Sequence, residues 1–470
     1  MKPELVPKDI REKTKYCFEC GICTATCPMT ELLSHNYNPR NLLQKILTEP
    51  EKALTEEKLW LCAWCYRCYK QCPQGLKPPE IFQTIKEEAV KRNCFDGFEK
   101  AASVIEAKVP LSAICLRTCF HPERAGVSDA KIGEVVTKLT NRSVEGTDRK
   151  AIASKKEKVA IVGSGPSGLA AAHELAKRGY SITVFEELPA AGGMLRKSMP
   201  GFRLPKKDLE KEIHLLEESG VEIKTNTRIG KDIKFDDLWR IGYKAVFVAI
   251  GAHKSRRLEI YGQDSEGVVD ALEFLWNINT QKEVKIGSNV GVIGGGNVAV
   301  DAARTALRHG AQKVTILYRR SREEMPANPW EILEAEKEGI EIKFLTLPRR
   351  ILRKGKSLEL ESAKAELGEP DDTGRRIPSP IEGSEFSTQL DTIIVAIGES
   401  PETSFLPKKV EVDKGNRILV NPLTMETSME GVFAGGDAAT GPASVIEAIL
   451  AGKRAAHTII HYLNKANMKQ

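Results

Sequence analysis

No cysteine occurs between Phe120 and Gln470. The last three-quarters of the chain therefore has no thiol chemistry, which argues against a redox dithiol in that region. No apolar run approaches the roughly 20 residues that a membrane helix needs. The opening residues, Met1-Lys2-Pro3-Glu4, carry no apolar segment of the signal-peptide kind. Neither sign of charge dominates: 70 Lys and Arg stand against 64 Asp and Glu, a net charge of +6. That balance argues against a nucleic-acid partner. Hydrophobic residues make up 41% and charged residues 29%, as in an ordinary globular protein. The 470 residues leave room for about three domains. These features favour the cytoplasm, where thiols stay reduced, without membrane insertion.

The cysteines that are present are concentrated. All 11 lie between Cys17 and Cys119. Cys17, Cys20, Cys23, Cys27 and Pro28 form C-x2-C-x2-C-x3-C-P, and Cys62, Cys65, Cys68, Cys72 and Pro73 repeat it. Zinc half-sites are separated by longer gaps and have no use for a fourth Cys followed by Pro. A disulfide scaffold belongs to small secreted chains. The spacing is that of a pair of [4Fe–4S] clusters, in which the fourth Cys of each run ligates the other cluster. Cys17, Cys20, Cys23 and Cys72 are expected to hold one cluster, and Cys62, Cys65, Cys68 and Cys27 the other. Such a pair passes single electrons, so the rest of the chain is expected to feed or drain it. Cys94, Cys115 and Cys119 read as buried thiols or as three ligands of an extra cluster. Three cysteines without a fourth make a poor closed site.

Residues 1–90 are expected to form short helices around the clusters. Asn38-Pro39-Arg40 opens like a capped amphipathic helix. Residues 79–108 read as helical and charged, stopped by Pro110. Residues 120–157 carry no cofactor signature and read as a bridge. The pattern then changes to alternating strand and helix. The strand 158–162 runs into Gly163-Ser164-Gly165-Pro166-Ser167-Gly168, then a helix from Leu169 to Arg178, then the strand Ser181 to Phe185 closed by Glu186. A lone G-x-G-x-x-G is weak evidence, because tight turns of every kind use glycine. Here it stands in full context. Gly163 makes the turn, Gly165 admits a pyrophosphate to the helix N-terminus, and Gly168 allows close helix–strand packing. Glu186 is placed to accept hydrogen bonds from both ribose hydroxyls, which suits FAD or NAD.

A second unit follows about 130 residues later, with Gly294-Gly295-Gly296-Asn297-Val298-Ala299 as its turn. Its second strand ends in Tyr318-Arg319-Arg320-Ser321-Arg322, with no acid at the ribose position. A guanidinium forks around a 2′-phosphate that a carboxylate would repel, so the expectation is NADPH. The alternative is a solvated basic loop. Three further strands end in small residues: Val246 to Ala252, which includes Ala249 and Gly251; Asp391 to Gly398, which includes Ala396; and Gly431 to Asp437, which includes Gly436. The helix after Asp437 begins near Ser444 and Val445 and contains Glu447 and Gly452. An Asp there can bind the ribityl or pyrophosphate part of a flavin, and the helix N-terminus can stabilise a reduced ring.

Gly192-Gly193-Met194-Leu195-Arg196, Pro200 to Lys206, Gly294 to Arg304, Tyr318 to Ala327 and Gly431 to Asp437 together resemble the glutamate synthase small-subunit family. That family, within the flavoproteins with two dinucleotide-binding domains, includes the large subunit of ferredoxin-dependent NADP transhydrogenase. The resemblance covers about residue 100 to the C-terminus. It implies FAD at Gly163, Gly165, Gly168, Glu186 and Asp437, and NADPH at Gly294, Gly296, Asn297, Arg319 and Arg320. Pro166, Ser167, Gly193, Met194, Leu195, Arg203, Ala249, Gly251, Gly436, Ser444, Val445, Gly295, Val298, Ala396 and Gly398 are expected to bind cofactor beside them. The N-terminus departs from the family: residues 17–73 look like the small iron–sulfur subunit of heterodisulfide reductases, and Cys115 to Cys119 looks like a remnant of the family's own cluster segment.

The expected fold is α/β, with two Rossmann-like domains preceded by a helical two-cluster domain. The expected boundaries are 1–110 for the cluster domain, 111–155 for a linker, 156–280 with 398–470 for the FAD domain, and 281–397 for the inserted NADPH domain. The expected function is an NAD(P)H-dependent oxidoreductase subunit that moves electrons between NADP(H), FAD and two [4Fe–4S] clusters. They would pass to or from a partner subunit or ferredoxin, with an electron-bifurcating complex as one setting. A glutamate synthase small subunit, or a wiring subunit whose flavin never meets free NADPH, is the alternative. No catalytic acid or nucleophile is nominated. A disulfide reductase would share the fold but needs a dithiol beside the flavin.

Overall fold

The computed structural model describes residues 7–145 and 157–468, except 18, 35, 356, 372 and 373. Two compact units result. The first takes in the described residues up to Gly193, Arg203–Gly251 and the described residues from Thr403 onward. The second takes in Met194–Phe202 and Ala252–Glu402.

The first unit holds a parallel sheet in the order Val432–Ala434, Tyr243–Val248, Lys158–Val162, Ser181–Phe185, Glu222–Lys224. The strand Lys158–Val162 is buried at all but its first residue. Near-continuous apolar runs are what a parallel sheet covered on both faces requires. The register Val162↔Phe185 and Val162↔Val248 brings three strand ends level, so the glycine turn leaves from the carboxyl edge of the sheet. The cluster-bearing segment of this unit is helical. Asn38 caps the helix Pro39–Thr48 by accepting from the Asn41 N–H at 3.1 Å.

The second unit repeats the layout with Val268–Asp270, Thr392–Ala396, Asn289–Gly294, Lys313–Leu317 and Glu341–Lys343. It adds an antiparallel sheet absent from the sequence reading, in which Ser357–Pro370 pairs with Thr346–Lys354, Arg376–Pro380 and Phe386–Leu390.

The boundaries differ from those expected. The divisions fall at 251/252 and 402/403 instead of 280/281 and 397/398. The cause is strand pairing: Val268–Asp270 joins Thr392–Ala396, and Lys254–Ser255 joins Glu399–Ser400. The expected linker 111–155 is, over its described part, folded structure. Glu212 accepts from the Ala113 N–H, and Arg117 donates to Asp208 at 3.2 Å. The helix Asp129–Glu145 buries Ile132, Val135, Val136 and Leu139. The expected helix over 79–108 is two helices, Pro78–Lys91 and Asp96–Lys108. Between them Asn93 takes φ 56°, a left-handed conformation that ends a helix. Among the described residues no helix is long and apolar enough to cross a membrane.

Candidate functional site

Cys17, Cys20, Cys23 and Cys72 line one cavity. These are the first three cysteines of one run and the last of the other. The remaining four act on one another. Burial lifts the Cys27 thiol to about 11, and charge on Cys62 adds to the lift. Burial also raises Cys65 and Cys68, with Cys27 and Cys62 among the like charges that reinforce it. Thiolates crowded in low dielectric repel one another, and a positively charged metal core in their midst reverses that cost. Among the described residues no three Cys, His, Asp or Glu side chains converge as a lone metal ion requires. The first set, standing around a cavity, suits a polynuclear cluster instead, and the mutual effects of the second set fit a second one, so that each set of four donors suits one [4Fe–4S] cluster. Of the other cysteines, Cys115 and Cys119 are buried one turn apart. Cys115 Sγ lies 3.7 Å from the Pro110 carbonyl, and Cys94 Sγ lies 3.7 Å from the Arg92 carbonyl. They are a pair and a single thiol, not a three-ligand site.

At the first glycine turn the backbone is packed to contact. A Cβ on Gly163, whose φ is +103°, would lie 2.5 Å from the Ala249 carbonyl oxygen. One on Gly168 would lie 2.1 Å from the Gly163 oxygen. Gly165 instead faces open space, at the N-terminus of the helix Pro166–Ala176. A phosphate fits that opening, and any side chain at Gly165 would intrude on it. Gly193 approaches so closely that its Cβ would meet Gly165 Cα at 2.7 Å. Ser167 Oγ is buried there with no hydrogen-bond partner among the described residues, beside Gly436.

Glu186 is buried and takes the Ser164 N–H at 3.0 Å, the Ser164 hydroxyl, and the Leu188 N–H at 2.8 Å. A carboxylate offers about four acceptor positions. One is left for a ribose hydroxyl, where the sequence reading expected room for both. Gly251, at φ +65°, follows the same sheet edge. Asp437 Oδ1 accepts from the Ala443 N–H at 3.2 Å. Arg203 is half-buried and lies near enough to His121 to oppose its protonation, after burial itself. Met194 and Leu195 belong to the second unit, where Asn279 Nδ2 donates to the Arg196, Lys197 and Met199 carbonyls at 3.1–3.2 Å.

The second glycine turn has the same logic. A Cβ on Gly294 would lie 2.0 Å from the Ala396 oxygen, whereas Gly296 faces open space at the N-terminus of the helix Asn297–Arg308. Asn297 Oδ1 accepts from the Asn328 N–H at 2.9 Å, Val298 is half-buried, and Gly398 O accepts from the Arg256 N–H at 2.9 Å. The two arginines part company. Arg320 is buried, donating to the Arg376 carbonyl at 2.6 Å and to Asp371 at 3.0 Å. It clamps the antiparallel sheet. Arg319 is exposed, and desolvation followed by the charges of Arg320 and Arg375 lowers its pKa. Cations gathered this way favour an anion between them.

Sequence reasoning missed the join between the cluster motif and the helix Val445–Met468. Ser444 and Glu447 form a capping box: Glu447 Oε2 accepts from the Ser444 N–H at 3.1 Å and its hydroxyl at 2.6 Å. The other carboxylate oxygen takes Arg67 at 3.0 Å. Arg67 lies between Cys65 and Cys68, so the second cysteine run abuts the helix N-terminus that follows Asp437. The spacing S-x-x-E was the only signal in the sequence.

The family model for pyridine nucleotide-disulphide oxidoreductases matches residues 157–452, and that for a 4Fe-4S dicluster domain matches residues 13–76. The NADP(+)-dependent formate dehydrogenase subunit beta of Moorella thermoacetica is 39% identical over 434 residues, covering 85% of this chain and 60% of that protein. The NADPH-Fe(3+) oxidoreductase subunit beta of Geobacter sulfurreducens is 37% identical over 437 residues, covering 85% and 64%. The chain thus spans less than two-thirds of these two relatives. The putative glutamate synthase (NADPH) small chain of Cereibacter sphaeroides is 37% identical over 370 residues, covering 75% of this chain and 89% of that protein. FprA from Mycobacterium tuberculosis in complex with NADPH has a TM-score of 0.57 at 21% identity, covering 67% of this chain and 86% of that one. At that identity the likeness is one of fold.

Proposed function

The chain belongs to the pyridine nucleotide-disulphide oxidoreductase family, and on that premise we propose that it conducts electrons between NADP(H) and a partner subunit or ferredoxin. FAD, NADP(H) and two [4Fe–4S] clusters are the cofactors that its two families of domain carry. Bound in place, the flavin accepts a hydride as an electron pair and the clusters take electrons singly. The chain's residues supply position and charge. Gly163, Gly165, Gly168, Gly193, Gly436 and Asp437 hold the FAD, and Gly294, Gly296 and Arg319 hold the NADPH. The Glu447–Arg67 contact carries the reading, because it sets the Cys62–Cys72 run against the helix that begins at the flavin site. Cys27, Cys62, Cys65 and Cys68 would then hold the cluster nearer that site, and Cys17, Cys20, Cys23 and Cys72, of which Cys20 is exposed, would hold the outer one. With no thiol beyond Cys119, the fold works here without a dithiol.

The relatives named as beta subunits and small chains favour a hetero-oligomer. The 89% coverage of a glutamate synthase small chain favours that enzyme's small subunit as the second reading. Anaerobic titration with NADPH and then NADH, reading the flavin optically and the clusters by electron paramagnetic resonance, tests the conduit. NADPH is expected to bleach the flavin and bring up cluster signals. If neither nucleotide reduces the flavin while dithionite reduces the clusters, the chain is a wiring subunit instead.

The two arginines give separable outcomes. Arg319→Ala is expected to lower the ratio of kcat/KM for NADPH over NADH by roughly ten- to a hundredfold, with an unchanged melting temperature. Arg320→Ala is expected to lower the melting temperature, because Asp371 and the Arg376 carbonyl lose a buried donor. A preference that survives Arg319→Ala would return the basic segment to a solvated loop.

A further inference from the structure

Lys86 lies within the helix Pro78–Lys91 and is completely buried. Its ammonium has no hydrogen-bond partner among the described residues. It sits 5.5 Å from the ring centre of Trp60 and 5.9 Å from that of Trp64, the residues two before and two after Cys62. Arg124 packs on the same Trp64 ring at 4.7 Å. Indole faces attract a cation, but they do not replace the water that burial removes. The carboxylate that acts on Lys86 is Glu123, which is engaged by His121 at 3.0 Å. Two cations and two indoles thus enclose the Cys62 end of a motif whose ligand set is itself anionic. The buried hydroxyl of Tyr37 faces the same thiols, Cys62, Cys27 and Cys68.

We propose that Lys86 tunes the cluster held by Cys27, Cys62, Cys65 and Cys68, its positive charge favouring that cluster's reduced form. The inference rests on the crossed ligation of the proposed conduit. The step it biases is the transfer of one electron from the flavin to the cluster, with no bond made or broken and no proton moved. The cluster gains one unit of negative charge, and a buried ammonium nearby stabilises it in low dielectric. At the other cluster Cys20 is exposed and Arg40 lies partly in solvent, where water and salt screen its charge. Lys86 therefore makes the inner cluster the easier one to reduce.

The test is a redox titration of the full holoprotein with dithionite and mediators, following both cluster signals by electron paramagnetic resonance. Cys20→Ser marks the signal of the exposed cluster. Lys86→Met is expected to make the inner cluster at least tenfold harder to reduce, which is 59 mV for a one-electron couple. The outer cluster should not move. Lys86→Arg, which keeps the charge, should stay within about threefold of the parent, half a decade or less on the same scale. Equal shifts in both clusters, no shift in Lys86→Met, or a shift in Lys86→Arg as large as in Lys86→Met would each overturn the proposal. If Lys86→Met loses iron, Lys86→Gln is titrated under the same criteria. Because dithionite supplies the electrons, a failure of NADPH to reduce the flavin would sink the conduit and leave this measurement standing.

Discussion

Cys27→Ala is expected to remove the cluster of the second cysteine run and spare that of the run in which Cys27 itself lies. Cys27 is the N-cap of the helix Pro28–Leu32, with Pro28 at its first position. The fixed φ of proline starts a helix at once, which turns the chain away from Cys17, Cys20 and Cys23. That helix is tied to Val445–Met468 by Glu31 to Arg454 and by Lys453 Nζ to the Leu32 carbonyl at 3.2 Å. Cys27 is thus held where Cys62 acts on it, while Cys72 reaches the cavity of the first run. The variant should lose roughly half its iron and keep the outer cluster's signal. NADPH should still bleach the flavin. Viologen reduction should fall by about a hundredfold or more, because the step nearest the flavin has no acceptor. Loss of the outer signal with the inner one intact would mean that each run closes its own cluster.

Most of the scaffold was legible because its signals are local. The glycine turns, the strand ends and the Asn38 cap are each written within about ten residues of chain, and the structure has all of them. The cysteine runs were legible for the same reason. What stayed hidden depends on partners far away in sequence. Arg320 reads like its neighbour Arg319, and its hydrogen bond to Asp371 reaches 51 residues on. The antiparallel sheet is the exception, because its signals are local and were passed over: Leu358 and Leu360 alternate with Glu359 and Glu361, and Gly355 and Gly374, both left-handed, stand in the turns on either side. The Glu447–Arg67 contact spans 380 residues. Lys86 lies in a segment that reads only as helical and charged, and the Trp60 and Trp64 rings beside its ammonium stand 26 and 22 residues earlier.

Gly452→Ala should cost the protein its flavin, although Gly452 is not among the residues expected to bind it. Gly452 lies in the helix Val445–Met468, and a Cβ there would stand 2.1 Å from the Ser167 carbonyl oxygen and 3.1 Å from the Ala171 nitrogen. Both are backbone atoms of the helix Pro166–Ala176, so no rotamer change relieves the clash. One helix must move instead. Overpacking of this kind costs about 1–3 kcal/mol and occasionally more. For a body of this size each kcal/mol lowers the melting temperature by roughly 2–4 °C. The displacement falls on Ser167, at the phosphate-facing turn of the helix, and on Gly436, whose Cβ would already lie 2.9 Å from Ser167 Cβ. A phosphate site built from backbone N–H groups tolerates little movement of the helix that presents them. The flavin-to-protein ratio is expected to drop about tenfold or more, and iron content to hold. Gly133→Ala is the control, since a Cβ at Gly133, in the helix Asp129–Glu145, meets nothing within 4 Å. It should keep the flavin and gain a few tenths of a kcal/mol, up to about 1, from the stiffer unfolded chain. A Gly452→Ala protein with full flavin and an unchanged melting temperature would mean that these two helices have slack, and that the glycine is there for another reason.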